Sequence, residues 1–149
     1  MNPAETLEHI RDAVTADAVL LAWCTATFGS APTVYIGAVE DDGEARFPQT
    51  EYPVVVIKEV RQVTSDAFPG VALHVPVAGH VFEGGFDVPN RTYTGILHAS
   101  NLIEQVADAV TRARFSKVNT EKQINGAGQY PFFYGTCLLY LERITIKRR

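Results

Sequence analysis

Three residues in one stretch have the chemistry of metal ligands: His74, His80 and Glu83. Imidazole nitrogens and carboxylates are ordinary zinc ligands, and His80-x-x-Glu83 could converge at a strand end loosened by Gly84 and Gly85. His74 precedes His80 by six residues, about 20 Å along an extended strand, too far to reach the same ion. Histidines on the solvated face of a strand are the simpler account. Cys24 or Cys137 could be drawn with His98 as nucleophile and base. Both thiols, however, sit in apolar runs with no basic neighbour in sequence to lower their pKa, so core packing fits them better. Asp41, Asp42 and Glu44 lack the acidic spacing and terminal glutamate of a calcium loop. Neither GxxxxGK[ST] nor a GxGxxG after a strand occurs. These residues imply no catalytic centre, no metal and no cofactor. The expectation is a protein that is not an enzyme, with a metal-dependent enzyme using His80 and Glu83 ranked last.

The 149 residues suit one domain spanning 1–149, and 46% hydrophobic with 20% charged residues is ordinary globular usage. The longest apolar run, Ala18 to Cys24, is far short of the roughly 20 residues that span a bilayer, and no basic segment precedes a cleavable one. No membrane partner and no secretion are expected, and two distant cysteines fit reduced thiols.

Asn2-Pro3-Ala4-Glu5 reads as a helix start, with Leu7, Ile10 and Val14 at helical spacing. Ala18 to Phe28, closed by Gly29, continues as one broken helix or a second short one. Thr33 to Val39 predicts a strand, followed by an acidic turn from Glu40 to Glu44. Tyr52 to Val63 predicts a single core strand, and Val71 to Phe82 an edge strand, because Pro76 cannot donate to a ladder. Asn101 with Glu104 predicts a helix over 101–114, its stripe being Leu102, Ile103, Val106, Ala109, Val110 and Ala113. Glu40–Glu51, Glu83–Gly95 and Ser116–Tyr130 are left as long loops. The last strand, Phe132 to Lys147, would run roughly 50 Å if straight, so it is expected to bend at Gly135 or to project. The class is α+β. About four strands in a mixed or antiparallel sheet pack with an N-terminal helical segment and one long helix before the C-terminal strand.

Charge is polarised along the chain. Residues 1–90 carry 13 acids and 4 bases, net −9; residues 91–149 carry 4 acids and 9 bases, net +5. Such asymmetry fits a nucleic-acid face, head-to-tail contact between copies, or two solvated faces.

The segment Phe47-Pro48 through Tyr52-Pro53-Val54-Val55-Val56-Ile57, Tyr93-Thr94-Gly95 before a helix, the N-terminal helix and the long last strand together resemble a family. It is that of the tail terminator proteins of long-tailed bacteriophages and their prophage relatives, and the resemblance covers most of the chain. It implies a ring, expected to be a hexamer, on the head-proximal end of a tail tube. The ring would stop tube growth and present the head-joining surface. The implied partners are further copies of the chain, the tail tube protein, a sheath, and a head-completion or connector protein. DNA would be passing cargo in the lumen. The implied location is the virion tail or neck, after assembly in the host cytoplasm. Other neck proteins share the plan, so a head–tail connector and a small DNA-binding protein stand as alternatives. A cyclic ring needs heterologous contacts. The expected subunit interface is an acidic front at Asp41, Asp42 and Glu44, a basic back at Lys117, Lys122, Lys147, Arg148 and Arg149, and the strand end at Ile144 and Ile146.

Overall fold

The structure is a computed structural model that describes residues 3–37, 40–41, 44–45, 47–64, 70–113 and 118–144. Two helices, α1 (Pro3–Ala16) and α2 (Ala18–Phe28), come first. The strands β1 (Thr33–Ile36), β2 (Glu40–Asp41) and β3 (Glu44–Ala45) follow, then a 3-10 turn (Gln49–Glu51), then β4 (Val54–Ile57), β5 (Arg61–Thr64) and β6 (Gly70–Phe82). A small hairpin of β7 (Phe86–Asp87) and β8 (Thr92–Tyr93) leads into α3 (Thr94–Arg112). The chain closes with β9 (Val118–Glu121), β10 (Ile124–Gln129) and β11 (Phe132–Ile144).

The break between α1 and α2 is written in one residue. Asp17 is extended (φ −73°, ψ 114°), and its carboxylate accepts from Leu20 N at 2.8 Å, capping α2. At the other end Gly29 takes the left-handed φ of 83° and its N–H returns to Thr25 O, as the sequence predicts.

Seven strands make one mixed sheet in the order β1-β4-β6-β11-β10, with β5 continuing along β6 and β9 along β11. Among the described residues only β1 and β4 run parallel. The α+β class is therefore as expected, while the sheet is larger than four strands. The expected single strand over 52–63 is two. Between Ile57↔Val77 and Arg61↔His74 three residues oppose two, a bulge at Lys58–Val60. Pro76 sits there, and its carbonyl accepts from Lys58 N at 3.0 Å. The donor that proline lacks would point to this same side, where the ladder is already interrupted. That is why β6 is a central strand and not the predicted edge.

All three helices cover one face. Ile10, Val14, Leu20 and Cys24 join Leu102, Ile103, Val106 and Val110 of α3 against Val55, Ile57, Val75, Val77, Leu139 and Leu141. Four large side chains from α3, each fully buried, contribute on the order of 8 kcal/mol of apolar transfer energy. Helix α3 starts at Thr94, two turns before the predicted Asn101 cap, and Ala113 lies beyond its end, exposed. Close packing sets that start: a Cβ on Gly95 would fall 2.2 Å from the Phe133 ring.

A row of glycines lets α3 lie low on the sheet. Gly126, Gly135 and Gly79 are register neighbours across β10, β11 and β6. Added Cβ atoms there would meet Ser100 Oγ at 2.5 Å, Ala99 O at 2.6 Å and Leu102 Cδ2 at 2.9 Å.

All three of the expected loops contain sheet, the first of them the short β2–β3 hairpin within 40–51. Within the expected loop Ser116–Tyr130, strands β9 and β10 pair with β11 in one register, and 86–93 form the β7–β8 hairpin. Over its described residues the last strand stays in the sheet, β11 pairing with β6 from Phe132↔Phe82 to Ile144↔Gly70; the rest of the expected strand, 145–147, lies outside the described residues. The expected Asn2 cap lies outside the described residues.

Candidate docking site at the aromatic end of the sheet

Alternation along β11 sends Phe133, Cys137, Leu139 and Leu141 to the helices and Phe132, Tyr134 and Tyr140 to the opposite face. On β6 the residues His74, His80 and Phe82 share that face. The result is an aromatic chain across the uncovered side. Phe82 and Phe132 lie 5.0 Å apart, and Tyr52 contacts both at 6.1 and 6.0 Å. Phe47 then links Tyr52, Tyr35 and His80, and His80 reaches Tyr134 at 5.9 Å. Tyr35 hydrogen-bonds the Glu51 carboxylate, which raises its phenol pKa, and Thr33 Oγ1 donates to Glu51 O at 2.8 Å. The 3-10 turn is thereby fastened to β1.

A second aromatic group flanks the same end of the sheet. Phe86 and Tyr93, partners in the β7–β8 hairpin, lie 4.7 Å apart, and Tyr93 continues to Tyr130 at 5.4 Å and Phe133 at 6.2 Å. Backbone bonds stitch this end together: Glu83 N donates to Pro131 O at 2.9 Å and Thr94 N to Gly85 O at 3.1 Å. Between the two groups His98 Nδ1 meets Glu83 Oε2 at 2.7 Å, and the His98 ring takes Phe28 edge-on at 5.8 Å.

Much of this apolar surface faces solvent. Phe82, Phe86, Val88, Tyr93, Leu97, Tyr130, Phe132 and Tyr134 are exposed by 39% to 71%. They fall in two groups, Phe82, Phe132 and Tyr134 on the uncovered face and Phe86, Tyr93 and Tyr130 beside Phe133, with Val88 in the β7–β8 turn and Leu97 on α3. The arrangement can bury aromatic anchors in a partner, as interface hot spots do.

The residues singled out for chemistry are held in packing and hydrogen-bonding contacts. His80 is packed between Phe47 and Tyr134, and burial, with the Lys58 charge, pushes its pKa down to about 4. Glu83 pairs with His98, and His74 rests against Tyr140 at 4.6 Å. No group of three or more His, Cys, Asp or Glu able to hold a metal occurs among the described residues. Cys24 and Cys137 are free and buried, with burial pushing both thiols up to about 12.

Of the expected interface, Lys122 Nζ bonds Asp108 of its own α3 at 2.6 Å, with Glu104 at 3.7 Å. Asp41 and Glu44 are partners across the β2–β3 hairpin, and Ile144 is the last ladder residue of β11. Asp42, Lys117, Ile146, Lys147, Arg148 and Arg149 lie outside the described residues. The docking site itself was missed. Its signal was the crowding of aromatics into 82–93 and 130–134, segments read as loop and strand start.

No family model matches the chain, and no curated protein matches it. Among solved structures, the fold is that of a chain in the virion of a native gene transfer agent particle. The two agree with a TM-score of 0.51 over 91% of this chain and 92% of that one, at 12% identity. What the two chains share is the α+β fold. Among the described residues no helix is long and apolar enough to cross a membrane.

Proposed function

We propose that this chain is a structural subunit of a phage or phage-like particle, and that it forms a ring capping the head-proximal end of a tail tube. The observation that carries the reading is the fold held in common with a virion chain over nine-tenths of both. A capping ring must bind its own copies, the tube below and the head connector above. The aromatic end supplies exposed aromatic anchors for a protein partner, and the tube is the partner assigned to it. In this reading a sheath and a head-completion protein are further partners, DNA only passes through the lumen, and the chain works in the virion without catalysis. The charged front at Asp41, Asp42 and Glu44 and the bases from Lys117 to Arg149 are proposed to orient neighbouring copies, where complementary charge sets register more than affinity.

The test adds the purified chain to polymerising tube protein from its own particle. Expected are capped tubes whose growth stops at a ring-to-tube-end ratio near unity, seen by electron microscopy. Tyr130→Ser with Phe132→Ser should abolish capping and leave the circular dichroism melt nearly unchanged, since both side chains are exposed. Binding to a head-side connector without any effect on tube growth would replace the terminator role by another neck role. A salt-sensitive shift of naked DNA with neither activity would favour a DNA-binding protein.

A further inference from the structure

Among the described residues four strands of the sheet are paired on one side only: β1 beside β4, β5 beside β6, β9 beside β11 and β10 beside β11. Of these, β5 carries the charge of Arg61 and β9 that of Glu121, which leaves β1 and β10 as the uncharged edges. Leu138 N donates to Gln123 O at 3.3 Å. By antiparallel alternation Asn125, Ala127 and Gln129 also bond β11, while Ile124, Gly126 and Gly128 turn their N–H and C=O groups outward. On β1, Thr33 N reaches Pro53 O and Gly37 N reaches Ile57 O, so Val34 and Ile36 face away from β4. Sheet edges are ordinarily blunted by lysine, proline or a bulge. Neither Thr33–Ile36 nor Ile124–Gln129 contains a charge or a proline. An unblunted edge is a template for a further strand.

The polarity of the chain selects the partner. Strand β1 belongs to the half that carries net −9, and β10 to the half that carries net +5. Neither edge strand is itself charged, but pairing either edge with its own copy brings the same half of two chains together, whereas β10 against β1 brings together halves of opposite net charge. That pairing is also head-to-tail, so in a closed ring it uses the β1 and the β10 edge of every copy. We infer that copies of this chain join edge to edge, the β10 edge of one pairing with the β1 edge of the next, so that one sheet continues from subunit to subunit. The inference deepens the ring reading and rests on it. Strand β11 cannot serve instead, because β6 pairs one side of it throughout and β9 and β10 pair the other at Phe132–Cys137 and Tyr140–Arg143.

Two full-length variants test it: Asn125→Lys with Ala127→Lys, which places charge on exposed positions of β10, and Ile36→Lys, exposed on β1. Circular dichroism first confirms that each is folded; mass then comes from light scattering. The wild type is expected as an oligomer and each variant as a monomer. An equimolar mixture of the two should give a 1:1 heterodimer, because one intact β10 edge still meets one intact β1 edge. An Ile36→Lys variant that remains dimeric would mean β10 pairs with itself and would overturn the inference. Full-size oligomers in both variants would overturn it while leaving the ring in place. A wild type monomeric at every concentration, alone and on tubes, would remove both the pairing and the ring.

Discussion

Arg112 at the end of α3 grips Asp17 at the α1–α2 break with two bonds, Nε to Oδ1 at 2.9 Å and Nη2 to Oδ2 at 2.7 Å. The same carboxylate caps α2, so one side chain, only 11% exposed, joins three helices. The Arg112 hydrogen bonds hold the Asp17 pKa below the usual carboxylate value. Asp17→Ala is expected to cost about 1–3 kcal/mol, from the lost cap together with the lost ion pair. Arg112→Ala should cost about 1 kcal/mol or less, since the cap survives. Because the folded pKa is depressed, this stability is present above the unfolded value and lost as pH falls through the folded one. Urea midpoints of both variants at neutral and acid pH check the order.

His80 gives a second acid signature at higher pH. Its pKa falls from 6.5 to about 4 on folding, so the unfolded chain binds the proton more tightly. Stability is therefore complete above 6.5 and declines as pH drops towards 4, by on the order of 2 kcal/mol after allowing for partial exposure. His80→Phe should flatten the profile between those limits. An unchanged slope would show that another group titrates there.

Leu139→Asp and Val56→Asp each place a charge at a position exposed by no more than 1%. A buried unpaired carboxylate costs more than about 4 kcal/mol, a large part of a domain's total stability. Neither variant should give soluble protein that melts cooperatively.

Gly135→Ala should be worse than Gly79→Ala. The first Cβ meets the Ala99 carbonyl, which is helix backbone, whereas the second meets the end of the Leu102 side chain, which can turn. The first should cost about 1–3 kcal/mol and the second less. Thermal midpoints of the two alanine variants decide it.

The elements legible in the sequence were those whose pattern is local. The α1–α2 break, the apolar stripe of α3 and the Val54–Ile57 run all appear where periodicity placed them. What misled was a local signal overruled by distant partners. Pro76 argued for an edge, yet its missing donor coincides with a bulge supplied by Lys58–Val60. Asn101 looked like a cap, but Gly95 against Phe133 lets the helix begin earlier. The glycines of 124–129 suggested a loose loop; they are needed because α3 and β11 lie too close for side chains. The aromatic end is assembled from β6, the β7–β8 hairpin and the start of β11, so no single window could display it.

The full-length ladder between β6 and β11 also fixes the order in which the molecule can be made. Those strands are separated in the chain by β7, β8, α3, β9 and β10, so their pairing must wait until β11 has been synthesised. Until then Val75, Val77 and Val81 have no β11 beside them, and closing so long a loop costs entropy before the ladder returns it. Completion of the sheet thus waits for β11 and is slow for the chain's size. A nascent chain halted before Phe132 would carry an open, apolar central strand, the kind of surface that chaperones hold and that aggregates when they do not.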